Sequence, residues 1–161
     1  NGVVTANENV NGKWSQVETQ LQRRSDLIPN LVNTVKGYSA HESQVFTDVA
    51  NARARLAGAQ NVTEAAQANG ELSGALSRLL AISENYPQLK ANTNFIQLQD
   101  ELAGTENRLA VARKDYNDAA QAYNAKIKSF PTVLVARMMG FQERSYFKAD
   151  PQAQKAPQVK F

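Results

Sequence analysis

The chain has 161 residues and a mass of 17.7 kDa, enough for one domain with a sizeable core and no need of metals or crosslinks. It holds no cysteine and a single histidine, which removes disulfide frameworks, zinc–thiolate and iron–sulfur sites, cysteine nucleophiles and multi-histidine metal centres. A net charge of +3, from 18 basic and 15 acidic residues, falls short of the footprint of a nucleic-acid binder, and no apolar run reaches the ~18 residues of a membrane span.

Ala, Asn and Gln make up about a third of the residues, and β-branched and aromatic side chains are few, a balance that favours helices over sheets. From Val10 an apolar stripe recurs at alternating three- and four-residue steps through Trp14, Val17, Leu21, Ile28, Leu31, Val35, Tyr38, Val45, Val49, Ala52 and Leu56. That phase predicts one long helix, started by Thr5 or Asn7 and stopped at Gly58, which kinks or splits at Pro29. A second stripe, Leu72, Leu76, Leu79 and Tyr86, follows a connection over 58–63; Asn69-Gly70 weakens its start and Tyr86-Pro87 ends it. Residues 87–93, if extended, would carry the chain back along the first helix. A third helix then runs through Phe95, Leu98, Leu102, Leu109, Ala112, Tyr116, Ala119 and Tyr123, capped by Asn92 or Asn94 and stopped at Phe130-Pro131. A short helix over 131–139 ends at Gly140, and a proline-punctuated tail follows. The expected fold is all-α: an antiparallel up-and-down bundle of three long helices over residues 1–141, with residues 142–161 as a tail partly packed on it.

Two charged residues interrupt the first stripe, Arg24 and Glu42, each of which either snorkels or pairs with another helix; a buried pair of Arg24 with an acid would fix helix register. Arg23, Arg24 and Asp26 also form a small charged cluster beside Pro29. His41 has Tyr38 three residues before it, so the Glu-x-x-His pattern of carboxylate metal bundles is missing, and no catalytic, cofactor or metal residues are assigned. Residues 1–130 carry equal numbers of basic and acidic side chains, so the whole +3 belongs to the last 31 residues. There Phe141, Arg144, Tyr146 and Phe147 either fold back on the bundle or contact a partner or lipid surface.

The order Trp14-Ser15-Gln16-Val17, Gln20 to Val32 (through Arg23-Arg24-Ser25-Asp26 and Pro29-Asn30) and Thr34 to Tyr38 resembles the signature of the LemA family. The likeness continues through Glu84, Tyr86-Pro87, Asn94-Phe95, Thr105 to Arg108, Tyr116-Asn117, Tyr123-Asn124, Phe130-Pro131, Gly140-Phe141, Tyr146-Phe147 and the closing Lys155 to Phe161. This resemblance implies a bacterial, mostly helical protein held in the cell membrane by an N-terminal anchor preceding Asn1, with no established enzymatic activity, no cofactor and no assigned catalytic residues. It implies an envelope role with unidentified envelope or membrane proteins as partners and no nucleic acid, on a side of the membrane that the sequence does not indicate. The resulting expectation is a membrane-tethered structural or interaction module, and the runner-up is an anionic-lipid binder acting through the C-terminal region. A stripe left uncovered by the short second helix would also invite self-association.

Overall fold

The computed structural model describes residues 2–129 and 132–148 of the chain. Among them there are helices and no strands: α1 (Gly2–Lys36), α2 (Ser43–Ala57), α3 (Val62–Ile82), α4 (Pro87–Lys90), α5 (Thr93–Lys128) and α6 (Thr132–Met139), with a 3₁₀ turn at Ser83–Asn85 between α3 and α4. The fold is an all-α bundle. At 1.5 Å per residue α1 and α5 are each about 50 Å long. They lie antiparallel along their whole length, as contacts of Asn94 with Thr34 and of Arg108 with Gln20 show.

The first stripe does not make one helix. Helix α1 ends at Lys36, and six residues reverse the chain before α2 begins. The N–H groups of Tyr38 and Ser39 both donate to the Val35 carbonyl, which closes α1. Helix α2 then descends beside α1, α3 ascends beside α2, and α5 descends again. Apolar phase survives this reversal because both helices face the same core, so periodicity alone joins them. The expected break falls at Gly37, not at Pro29: Pro29 lies inside a continuous α1. His41, expected amid helix, lies in the turn.

Other boundaries differ for local reasons. Helix α1 is already formed at Gly2, before the expected caps Thr5 and Asn7. Helix α3 starts ahead of Asn69-Gly70, because the Asn61 side chain accepts from the Glu64 N–H while Glu64 accepts from the Gln60 N–H, a reciprocal cap that outweighs one interior glycine. Residues 87–93 are not extended: Pro87 opens the one-turn α4, and Asn92 caps α5 through the Phe95 N–H. Gly140 stops α6 at φ +78°, a left-handed conformation that glycine adopts without penalty.

The core falls into two tiers. At the Lys36 end all four long helices contribute, through Ile28, Leu31 and Val35, Phe46 and Val49, Leu72 and Leu79, and Phe95, Leu98 and Leu102. At the Gly2 end, which α2 and α3 reach only with the residues around their connection, such as Leu56 and Ala65, Val3, Val10 and Val17 of α1 meet Leu109, Tyr116, Tyr123 and Ile127 of α5. The side left open there is closed by Ala136 of α6 and by Phe147, with Trp14 packed at the edge. The segment 141–148, after α6, crosses α5 as an extended strap. Residues 149–161, with the rest of the expected tail, lie outside the described residues, as do Phe130 and Pro131.

Candidate functional site

Two arrangements of polar side chains stand out from this packing, one at the boundary between the tiers and one under the strap. At the boundary Arg24, Ser25, Asn69 and Thr105 are all buried. The Arg24 guanidinium donates to the Asn69 side-chain oxygen Oδ1 at 2.5 Å and lies 3.5 Å from a carboxylate oxygen of Glu106. Burial pushes the Arg24 pKa down, and Glu106 opposes that shift by favouring the cation. Arg24 therefore ties α1 to α3 and α5 together, while Arg108 donates to Thr105 and to Gln20 beside it.

Next to it sits the answer to Pro29. A proline has no N–H, so the carbonyl four residues back, that of Ser25, loses its helical partner. Arg53 of α2 takes that place, its Nε donating to the Ser25 carbonyl at 2.9 Å and lying 3.0 Å from the Ser25 hydroxyl. The proline thereby opens an acceptor on α1 that α2 docks against.

Under the strap, two Tyr-Asn pairs on α5 grip main chain. Asn124 accepts from the Arg144 N–H at 2.7 Å and donates to the Arg144 carbonyl at 2.9 Å. Asn117 does the same to Phe147, both bonds being 2.9 Å. Beside each asparagine the preceding tyrosine adds a bond, Tyr123 donating to the Gln142 carbonyl at 2.7 Å and Tyr116 to the Ser145 carbonyl at 2.8 Å. The spacing is commensurate: seven residues of helix advance about 10 Å, and three residues of extended chain advance about the same. Helix and strap run in opposite senses, and the positions one heptad further along, Leu109-Ala110, cannot continue the ladder. Arg144 extends outward to the side-chain oxygens of Asn7 and Asn11 on α1, so the strap also joins α1 to α5. Burial pushes the pKa of both tyrosines up, partly offset by the Arg144 charge.

The structure thus brings Arg24, Phe141, Arg144 and Phe147 into the packing. Phe141 meets the Tyr123 ring edge-on, and Phe147 is buried against Trp14. Tyr146 faces solvent while its hydroxyl accepts from Asn124. The remaining candidates do not converge on one site. Arg23, Pro29 and Asn30 are exposed, Asp26 accepts from Gln22 on its own helix, and Glu42 lies half-buried just before α2 without capping it. Sequence reasoning missed Arg53 and gave no bonding role to Asn69 or to the two Tyr-Asn pairs; the heptad repeat of Tyr-Asn was the available signal for the last.

A groove of about 1090 Å³ runs between the α2–α3 hairpin and the strap. Its charges are largely spent on one another, Arg55 with Glu71 and Arg78 with Asp48. No cluster of three or more metal-ligating side chains occurs among the described residues.

Fold and polar pairing together define a helical scaffold: a two-tier bundle whose interior polar groups cross-tie helices and fasten a strap. The LemA family profile matches residues 13–161, and the chain belongs to the LemA family. It is 29% identical to magnetosome protein MamQ 2 of Paramagnetospirillum magneticum over 94% of this chain and 65% of that protein. It is 28% identical to magnetosome protein MamQ of Magnetospirillum gryphiswaldense, with the same coverage, and 23% identical to protein LemA of Metamycoplasma hominis over 84% of this chain and 62% of that one. The chain spans a little under two thirds of the length of these relatives.

Proposed function

We propose that the chain is the helical body of a membrane-tethered structural and interaction module of the bacterial envelope, without catalytic chemistry of its own. The observation that carries this reading is membership of the LemA family across both tiers and the strap, with relatives named as magnetosome proteins, a naming that favours a structural role over a catalytic one. The buried Arg24, Asn69 and Asn124 and the half-buried Asn117 support it, since they are engaged in holding helices and main chain together. The tether precedes Asn1, and unidentified envelope or membrane proteins are the partners. The runner-up, in which Phe141, Arg144, Tyr146 and Phe147 contact anionic lipid, has against it that Phe147 is buried and Arg144 is bonded to Asn7 and Asn11. The test is fractionation of the full-length protein from its native cells, followed by crosslinking in the intact membrane. Retention in the pellet after alkaline wash, with envelope proteins crosslinked, is the expected result. Release into the soluble fraction would overturn the tether.

A further inference from the structure

We propose that the outward face of α6 rests on an anionic lipid surface. Of the seven large hydrophobic side chains exposed among the described residues, four belong to this eight-residue helix. Leu134 is 52% exposed, Val135 40% and Met138 87%, while Ala136 on the other side is buried against α5. Elsewhere on the helices exposed apolar residues stand singly, as Ile96 and Val111 do. Single exposed apolar residues are ordinary, but a contiguous group on one short helix marks a contact surface.

The position of α6 and the charge around it identify the contact. Helix α6 follows the last turn of α5, and that turn places the Lys126 ammonium beside Gly2, so α6 sits at the tip of the rod where α1 begins. Arg137 projects from α6 itself, and Lys126 and Lys128 lie exposed on the adjoining turn. Glu143 neutralises Lys128 at 2.9 Å, which leaves Lys126 and Arg137 as the excess. Exposed apolar side chains with two uncompensated cations nearby suit the interface of an anionic bilayer, where the hydrophobic groups enter the headgroup boundary and the cations meet phosphate. A second copy of the chain suits the face less well. An eight-residue helix is about 12 Å long, and its face falls well short of the ~800 Å² per partner of a standard interface. The inference rests on the tether reading to the extent that the tether brings this tip to a membrane.

The experiment is co-sedimentation of the purified chain with vesicles of phosphatidylcholine alone or mixed with phosphatidylglycerol. Binding is expected to the mixed vesicles, weakening as salt is added. Leu134→Glu combined with Met138→Glu should weaken it about tenfold or more, and Arg137→Glu should weaken it chiefly at low salt. Val111→Glu, about 25 Å back along α5, should bind as the unsubstituted chain does. Both apolar targets are exposed, and near-ultraviolet circular dichroism of the Trp14–Tyr116 packing checks that the fold is kept. Wild-type chain left in the supernatant, or a double variant that binds equally well, would overturn the proposal. So would a dimer in sedimentation velocity that the double variant dissociates. Failure on vesicles alongside membrane retention of the full-length protein would remove the α6 contact alone.

Discussion

Arg24 is 4% exposed and its acidic neighbour Glu106 is 62% exposed, so the two ends of this pair have different fates when one is removed. Glu106 can be rehydrated by water; the Asn69 side-chain oxygen, buried with its residue, cannot easily be. Arg24→Met should therefore cost about 1–3 kcal/mol in urea unfolding, and Arg24→Met with Asn69→Leu should recover most of that loss. Glu106→Gln should cost less than about 1 kcal/mol, as for any mostly exposed partner. The two strap tyrosines give a pH signature. Their folded-state pKa lies above the unfolded value, so the neutral phenol is favoured in the fold and its contribution is complete below the unfolded pKa near ~10. As pH rises through that value and on to the folded one, the contribution is lost, and the phenolate has no proton to donate to Ser145 or Gln142. Unfolding midpoints that fall above about pH 10 in the native chain, and fall less in Tyr116→Phe, would agree with this; a flat profile would contradict it. At this scale the sequence was partly legible. Arg24 stood out as a cation inside an apolar stripe, whereas Asn69 read only as a weak helix residue because its partner lies 45 positions away.

Helix α1 shows how an element can carry a proline and remain continuous. An interior proline costs ~3 kcal/mol or more when its orphaned carbonyl goes unanswered, and here Arg53 answers it. The two residues should therefore be coupled. Pro29→Ala supplies the missing N–H and should stabilise the chain, while Arg53→Leu alone should cost about 1 kcal/mol or more. In the Pro29→Ala background the cost of Arg53→Leu should shrink, with an interaction energy of ~0.5 kcal/mol or more in the double-mutant cycle. Additive effects would show that Arg53 packs against Ser25 without replacing the helical bond. The same element marks where sequence reading stops. Residue spacing identified which side chains face the core but not where the chain reverses, because the six residues from Gly37 to Glu42 return it to the same apolar phase. Gly37 inside an apparent helix was the one local hint.

For the whole molecule, the bundle class and most of the buried residues followed from periodicity, because three stripes with short connections leave few other ways to bury them. The pairing did not. That α2 and α3 stop short, and that the C-terminal strap completes the tier they leave open, depends on bonds spanning about twenty to thirty positions, such as Asn124 to Arg144 and Tyr116 to Ser145. The strap should accordingly behave as part of the domain. Asn124→Ala removes both bonds to the Arg144 main chain and should lower stability by about 1–3 kcal/mol, with faster amide exchange at Arg144 and Phe147. Unchanged exchange at those amides would mean that the apolar seat of Phe147 alone holds the strap.

The match between one heptad of α5 and three residues of strap also acts as a ruler. Both asparagine rungs engage only while three peptide units separate Arg144 from Phe147. Deleting Ser145 would turn the next main-chain groups toward the wrong face at the second rung and draw Phe147 out of its seat, though the first rung could still form. An insertion between Gly140 and Gln142 shifts neither rung, and its cost is confined to the contact of Phe141 with the Tyr123 ring. The strap thus combines a stretch that tolerates changes in length with one that does not, and the boundary lies at Gln142, whose carbonyl Tyr123 holds.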